Sequence, residues 1–258
     1  MFLNAFFTPA FCDFCQTQIG SSYERTDTNP VLNGPVYLLV DVETTGLSTS
    51  SYITQIAAKV LGDNENFSRY ILPPVRLSPK IEELTGITNI FLNYGGFDPV
   101  TGINHKGPAG DFSQAFKDFS EFVSRKAQDR PVCLVAHNAA FDLRMLNAEI
   151  KRLAIQARRD ANNCQIAPSL KSAGIVTSLD SLGMFKSRKV WPLQSKNSMP
   201  RSFGLGNIYV HVHQKKKESM HNAVNDVEAL EEILLSPMLE GWQSIARDLQ
   251  LPIISLPA

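Results

Sequence analysis

The chain has 258 residues, 43% hydrophobic and 19% charged, and its 25 basic and 25 acidic residues leave a formal net charge of zero. That is apolar material for one α/β domain with decorated loops or at most two small ones, and it excludes global disorder and a bulk polyanion binder. The four cysteines give a lone CxxC (Cys12, Cys15) with Cys133 and Cys164 far away, so a structural zinc lacks a second ligand pair and a reduced intracellular protein is expected.

Residues 1–34 read as an extension ending in the turn-rich "TDTNPVLNGP". Its start, "MFLNAFFTPAFCDF", has no positive leader before the apolar part and makes a poor secretory signal. A first strand is expected over about residues 36–42. "YITQIAAKVLGD" and "NFSRYILPP" continue as two more strands around a turn at Gly62 to Asn66. "SPKIEELTGIT" is a short helix with Ser78 as N-cap and Pro79 in its first turn. Residues 91–110, with five Gly and two Pro, read as a long loop. Apolar positions 112, 115, 116, 119, 122 and 123 predict a helix. "RPVCLVAHN" is a fourth strand, "FDLRMLNAEIKRLAIQ" the helix after it, and residues 157–174 a polar connection. "GIVTSLDSLGMF" is a fifth strand with its exit, and "HNAVNDVEALEEILLS" the last strong helix, stopped by Pro237. Three strands, then helices, then alternating strand and helix imply a mixed sheet flanked by helices. The expected division is an extension (1–34), a catalytic domain (35–240) and a C-terminal tail (241–258). No apolar run approaches the roughly 20 residues of a membrane span.

The chemistry starts in "VYLLVDVETTGL", where an apolar strand runs into two carboxylates. Strand alternation points Asp41 and Glu43 to one face, where they repel each other and a divalent cation would relieve the repulsion. Asp142 follows a short apolar strand and opens a helix, a position that the helix dipole alone also favours. Asp226 sits about one position from the apolar stripe Ala223, Val224, Val227, Leu230, Ile233 and Leu234, at the boundary of the core. His221, five residues earlier, reaches in from the helix start. Charge is uneven: Ser181 to Lys217 holds Lys186, Arg188, Lys189, Lys196, Arg201 and Lys215 to Lys217 with no Asp or Glu, which suits either an anion site or a solvated loop.

These motifs occur in one order, and together the chain resembles the DnaQ-like 3′-to-5′ exonucleases with Asp-Glu-Asp-Asp-His sites. "DVETTGL", "HNAAFD" and the His-x4-Asp of "HNAVND" match the three motifs, over about residues 36–236. "SFGLGNIYVHVH" and "CLVAHNAAFDLRMLNAEI" are similar to the TREX-type (three-prime repair exonuclease) branch. A weaker likeness is to the exonuclease-like segment of promyelocytic leukaemia protein isoforms, which lacks the full acid set that this chain has. The chain departs from the TREX pattern in lacking a polyproline insertion, and "LQLPIISLPA" is no long membrane anchor.

The resemblance implies a ribonuclease H-like α/β fold with a mixed five-stranded sheet. It implies two divalent cations, Mg²⁺ or Mn²⁺, held about 4 Å apart. Asp41 would bridge both, Glu43 and Asp226 complete one site, and Asp142 help hold the other. His221 would be the general base, since imidazole exchanges protons near neutral pH. The product would be a 5′-nucleoside monophosphate from a nucleic acid with a free 3′ end, DNA favoured over RNA, single-stranded or frayed. By the same resemblance Leu47 wedges against the terminal bases, Thr44 and Thr45 contact the 3′-OH, Leu84 in "LTGI" packs on the last base, and Asn138 orients the second nucleotide. Leu47 and Leu84 are alternatively ordinary core. Lys215, Lys216 and Lys217 are expected phosphate contacts, and His137 and His211 are assigned core or surface positions. A homodimer is possible by resemblance, and no membrane partner is expected. The rival readings are an exoribonuclease of the same fold and a nucleic-acid-binding scaffold without turnover.

Overall fold

The structure is a computed structural model that describes residues 34–159, 168–191 and 199–253. The expectations for residues 1–33, including the Cys12/Cys15 pair, and for Cys164 and Lys196 lie outside the described residues.

Nine residues of alternating burial make β1 (Val36–Thr44), which pairs antiparallel with β2 (Ile53–Val60), itself antiparallel to β3 (Asn66–Tyr70). α1 (Pro79–Thr85) starts on the Ser78 hydroxyl and stops at Gly86, whose φ of 71° suits the left-handed C-cap. α2 (Asn89–Tyr94) follows from Thr88, and a small hairpin, β4 (Gly95–Phe97) and β5 (Asn104–Lys106), comes next. The expected plain loop over residues 91–110 is thus half of a short helix plus a hairpin. Strands of three residues carry too few alternations to register as strands in sequence. α3 (Phe112–Ala127) is capped by Asp111. β6 (Val132–Ala136), buried throughout, runs parallel to β1 and feeds α4 (Ala139–Arg159). β7 (Ile175–Asp180) is parallel to β6 and is followed by α5 (Ser181–Lys186), α6 (Leu205–His213) and α7 (Ala223–Leu234).

Residues 242–252, within the segment read as a tail, form α8 (Trp242–Leu249) and β8 (Leu251–Pro252). β8 adds antiparallel to β7, so among the described residues the sheet has six strands in the order β3-β2-β1-β6-β7-β8 rather than the expected five. The α/β class and the mixed sheet flanked by helices stand as expected.

The two faces of the sheet carry separate cores. Val36, Leu38, Val40 and Val42 point towards Phe116 and Phe119 of α3 and Met145 and Leu146 of α4. Leu39 belongs to the opposite core with Ile208 of α6, Val224 and Val227 of α7 and Trp242 of α8. A third, smaller cluster joins Tyr70 of edge strand β3 to Leu77, Ile87 and Leu92 around α1 and α2. α7 is tied to the β2–β3 hairpin through Glu231, which pairs with Lys59 at 2.6 Å and accepts from the Gly62 N–H. No described helix is long and apolar enough to cross a membrane.

Candidate active site

The alternation of β1 places Asp41 and Glu43 on the face of Tyr37 and Leu39, the face that α7 covers. The ladder to β2 breaks register between Glu43 and Thr44, a bulge of the kind common beside functional sites. Asp226, in the first turn of α7, reaches the same spot from above. One carboxylate oxygen from each of Asp41, Glu43 and Asp226 lies within 4.8 Å of the other two.

Asp142 stands outside that trio. It lies in the first turn of α4, which packs on the opposite face, and it is 2% exposed. Its carboxylate faces the backbone N–H of Val42, the residue between Asp41 and Glu43, which favours the ionised form. The fourth acid therefore meets the other three at the strand end, from the other layer of the molecule.

The electrostatics follow from this crowding. Loss of solvation is the largest effect on each acid. It lifts Glu43 to about 9, with Asp226 and Asp142 adding repulsion. It lifts Asp142 to about 8 against the pull of the nearby backbone N–H groups, with Asp180 and Asp226 contributing. Asp41 is raised well above the usual carboxylate range, first by burial and then by the charges of Asp142, Asp226 and Glu43. Asp226 rises least, to about 6, because the His221 N–H and the His221 charge oppose burial. Four such acids cannot all ionise without a compensating cation. Asp41, Glu43 and Asp226 offer hard oxygen donors at coordination spacing, a set that fits Mg²⁺ or Mn²⁺.

His221 occupies the loop before α7. Its N–H bonds to both Asp226 oxygens at 3.3 Å, and its φ is 70°. The next residue, Asn222, caps α7 by accepting from the Val224 N–H. The bond to Asp226 and the cap fix a left-handed turn that a non-glycine residue adopts at a cost. The result is an exposed imidazole beside the acid cluster.

The other expected residues divide. Leu47 is 80% and Leu84 49% exposed, so neither is ordinary core. The Thr44 hydroxyl donates to the Gly46 carbonyl at 2.6 Å and the Thr45 hydroxyl accepts from the Tyr52 N–H, so both side chains shape the loop that carries Leu47. Asn138 is exposed with φ 72°. Lys215 and Lys216 are exposed, whereas Lys217 is committed to Glu232 at 2.6 Å and Glu228 at 3.4 Å. Sequence reasoning weighed charge along the chain and could not see two glutamates arriving from α7. His137 is held between the Ser181 hydroxyl and the Phe203 carbonyl, a structural position.

Several supporting residues were not singled out in the sequence. Asp180 accepts from the N–H groups of Asn138, Ala139 and Leu182, and so fixes the turn from β6 into α4 that presents Asp142. Its place between a strand and a helix is the N-cap signal that could have found it. Arg152 donates to the carbonyls of Thr49 and Ser51 and Arg144 to that of Leu47, clamping the Leu47 loop to α4. Buried Glu149 accepts from the Ile53 N–H and pairs with Arg152 at 3.0 Å.

Comparison with known proteins gives a partial match. No family model matches the chain. Over 141 residues, 53% of this chain, it is 34% identical to a DNA polymerase III PolC-type of Streptococcus agalactiae serotype III. Over the same length it is 36% identical to the PolC-type enzyme of Streptococcus pyogenes serotype M1. To that of Streptococcus thermophilus it is 35% identical over 128 residues, 48% of this chain. The matched stretch spans only 7 to 8% of the length of these polymerases.

Proposed function

We propose that this protein is a divalent-metal-dependent 3′-to-5′ exonuclease that releases 5′-nucleoside monophosphates from single-stranded or frayed DNA ends, of the DnaQ-like kind and similar in its motifs to the TREX-type branch. The observation that carries the reading is the meeting of Asp41, Glu43 and Asp226 within 4.8 Å, with Asp142 facing the backbone between the first two. DNA is the preferred substrate class because the relatives at 34 to 36% identity are named DNA polymerases.

Asp41, Glu43 and Asp226, with Asp142 on the far side, would hold Mg²⁺ or Mn²⁺, which supplies charge stabilisation to the attacking and leaving oxygens of an in-line displacement. The strand end holds the acids rigid, so little reorganisation is needed when substrate arrives. His221 takes the proton of the attacking water. The bond between phosphorus and the 3′ oxygen of the penultimate nucleotide then breaks, leaving a new 3′-OH and a mononucleotide. Leu47, exposed on its clamped loop, and Leu84, exposed on α1, contact the terminal bases. Lys215 and Lys216 are the free candidates for salt-sensitive phosphate contacts, with Lys217 held in reserve by its glutamates.

The test is to incubate single-stranded DNA carrying a 3′-terminal label with the protein and Mg²⁺. Labelled 5′-mononucleotide as the first product supports the reading. Internal fragments, or products from the 5′ end, overturn it.

A further inference from the structure

Beside the acid cluster the structure holds a cavity of about 450 Å³, within the roughly 300–1,000 Å³ range of small-ligand sites. Its walls come from three places. α1 and its C-cap contribute Leu84. The residues flanking His221, Met220 and Asn222, form a second wall. The third is the β4–β5 hairpin, which contributes Phe97 and buried Asp98. Phe97 is 65% exposed, an aromatic ring left facing solvent at the mouth of a polar site.

The hairpin is built to hold that ring still. Gly95 has φ 77°, and a Cβ there would stand 2.3 Å from the His105 carbonyl oxygen, so the first residue of the hairpin lies too close to β5 for any side chain. Asp98, 3% exposed, accepts from the Val100 N–H, the Thr101 hydroxyl and the Tyr70 hydroxyl. Tyr70 in turn accepts from Asn222 at 3.5 Å, the residue next to His221, and Asn222 accepts from Gln55 at 3.4 Å. A buried polar chain thus runs from the hairpin to the loop of the proposed general base. An ordinary surface hairpin needs no such tether.

We infer that Phe97 is a substrate-binding residue that stacks on the nucleobase of the 3′-terminal nucleotide, with the hairpin as the wall of the base pocket facing Leu84's helix. An aromatic face binds any base by stacking, without reading its edge, which suits an enzyme that removes nucleotides of every kind. The inference deepens the exonuclease reading and rests on it.

The experiment compares two oligodeoxynucleotides, one with an ordinary 3′-terminal nucleotide and one whose terminal nucleotide lacks its base, cleaved by wild type, Phe97→Ala, Phe97→Tyr and Phe97→Met. Wild type should prefer the ordinary end. Phe97→Ala should raise KM for that end about tenfold, within the range expected for loss of one stacked base, and leave the baseless end nearly unchanged, so that the preference shrinks. Phe97→Tyr keeps the ring and should retain it. Phe97→Met keeps an apolar chain without the ring, so wild-type behaviour from Met would assign Phe97 to packing and overturn stacking. Equal loss on both substrates, or no loss in a Phe97→Ala protein with wild-type circular dichroism, also overturns it. A wild type that releases no nucleotide from either end fails the exonuclease reading itself, and this inference with it.

Discussion

At the residue scale the acids make a pH-dependent statement about stability. Carboxylates titrate near 4 in an unfolded chain, whereas Glu43 sits at about 9 and Asp142 at about 8 in the folded protein. The folded state therefore binds more protons than the unfolded state between those values. Their contribution is most favourable at low pH and is lost as pH rises towards 8 to 9. The melting temperature of metal-free protein should fall between pH 6 and pH 9, and Mg²⁺ or Mn²⁺ should restore more of it at pH 8 than at pH 6. Calorimetric melts with and without the ion check this; a metal response that is equal at both pH values contradicts it. His221 gives a second prediction. Asparagine tolerates a φ of 70°, so His221→Asn should keep the loop and the melting temperature while lowering kcat about 10²- to 10⁴-fold, the usual worth of a general base. Single-turnover kinetics beside a thermal melt separate the two effects.

At the scale of elements, the turn from β6 into α4 depends on Asp180, whose carboxylate receives three backbone N–H groups. Asp180→Ala should cost about 1–2 kcal/mol, as for other lost caps, and should lower kcat because Asp142 loses its support. Asp180→Asn retains an acceptor oxygen and should recover most of both. Thermal melts and initial rates on the pair of variants test it, and an Asp180→Ala enzyme with wild-type kcat would show that Asp142 is placed by other contacts. Elements of this size differ in how legible they are. β1, β6, α3 and α7 could be read from residues because each carries four or more apolar positions, continuous in β6 and periodic in the helices, and α1 because Ser78 and Pro79 mark its start. The β4–β5 hairpin could not. Its three-residue strands are set by Gly95, by the Asp98 turn and by packing on Tyr70, which are contacts between distant residues. β8 is similarly short and forms only because β7 offers an edge.

At the scale of the molecule, two helical layers close on opposite faces of one sheet, and the acids meet where β1 emerges between them. Asp226 descends with α7 and Asp142 arrives with α4, from residues 185 positions apart at the extremes of Asp41 and Asp226. That the acids belong together was legible from motif order; that Asp142 joins through the Val42 backbone, outside the tight trio, was not, because it depends on the depth at which α4 docks. The same limit hid the pairing of Lys217. Single-stranded DNA should be shortened faster than RNA of the same sequence in the presence of Mg²⁺, and a time course on matched labelled strands reads the preference directly; equal or faster loss of RNA would reverse the substrate assignment.

The central claim is tested most directly by Asp41→Ala, assayed in parallel for DNA binding and for Mg²⁺-dependent release of the terminal nucleotide. With several kcal/mol of charge stabilisation removed, release should fall by at least about a hundredfold while binding stays within a few-fold of wild type. Release at the wild-type rate by Asp41→Ala, or undiminished release by wild type in excess chelator, would contradict the account.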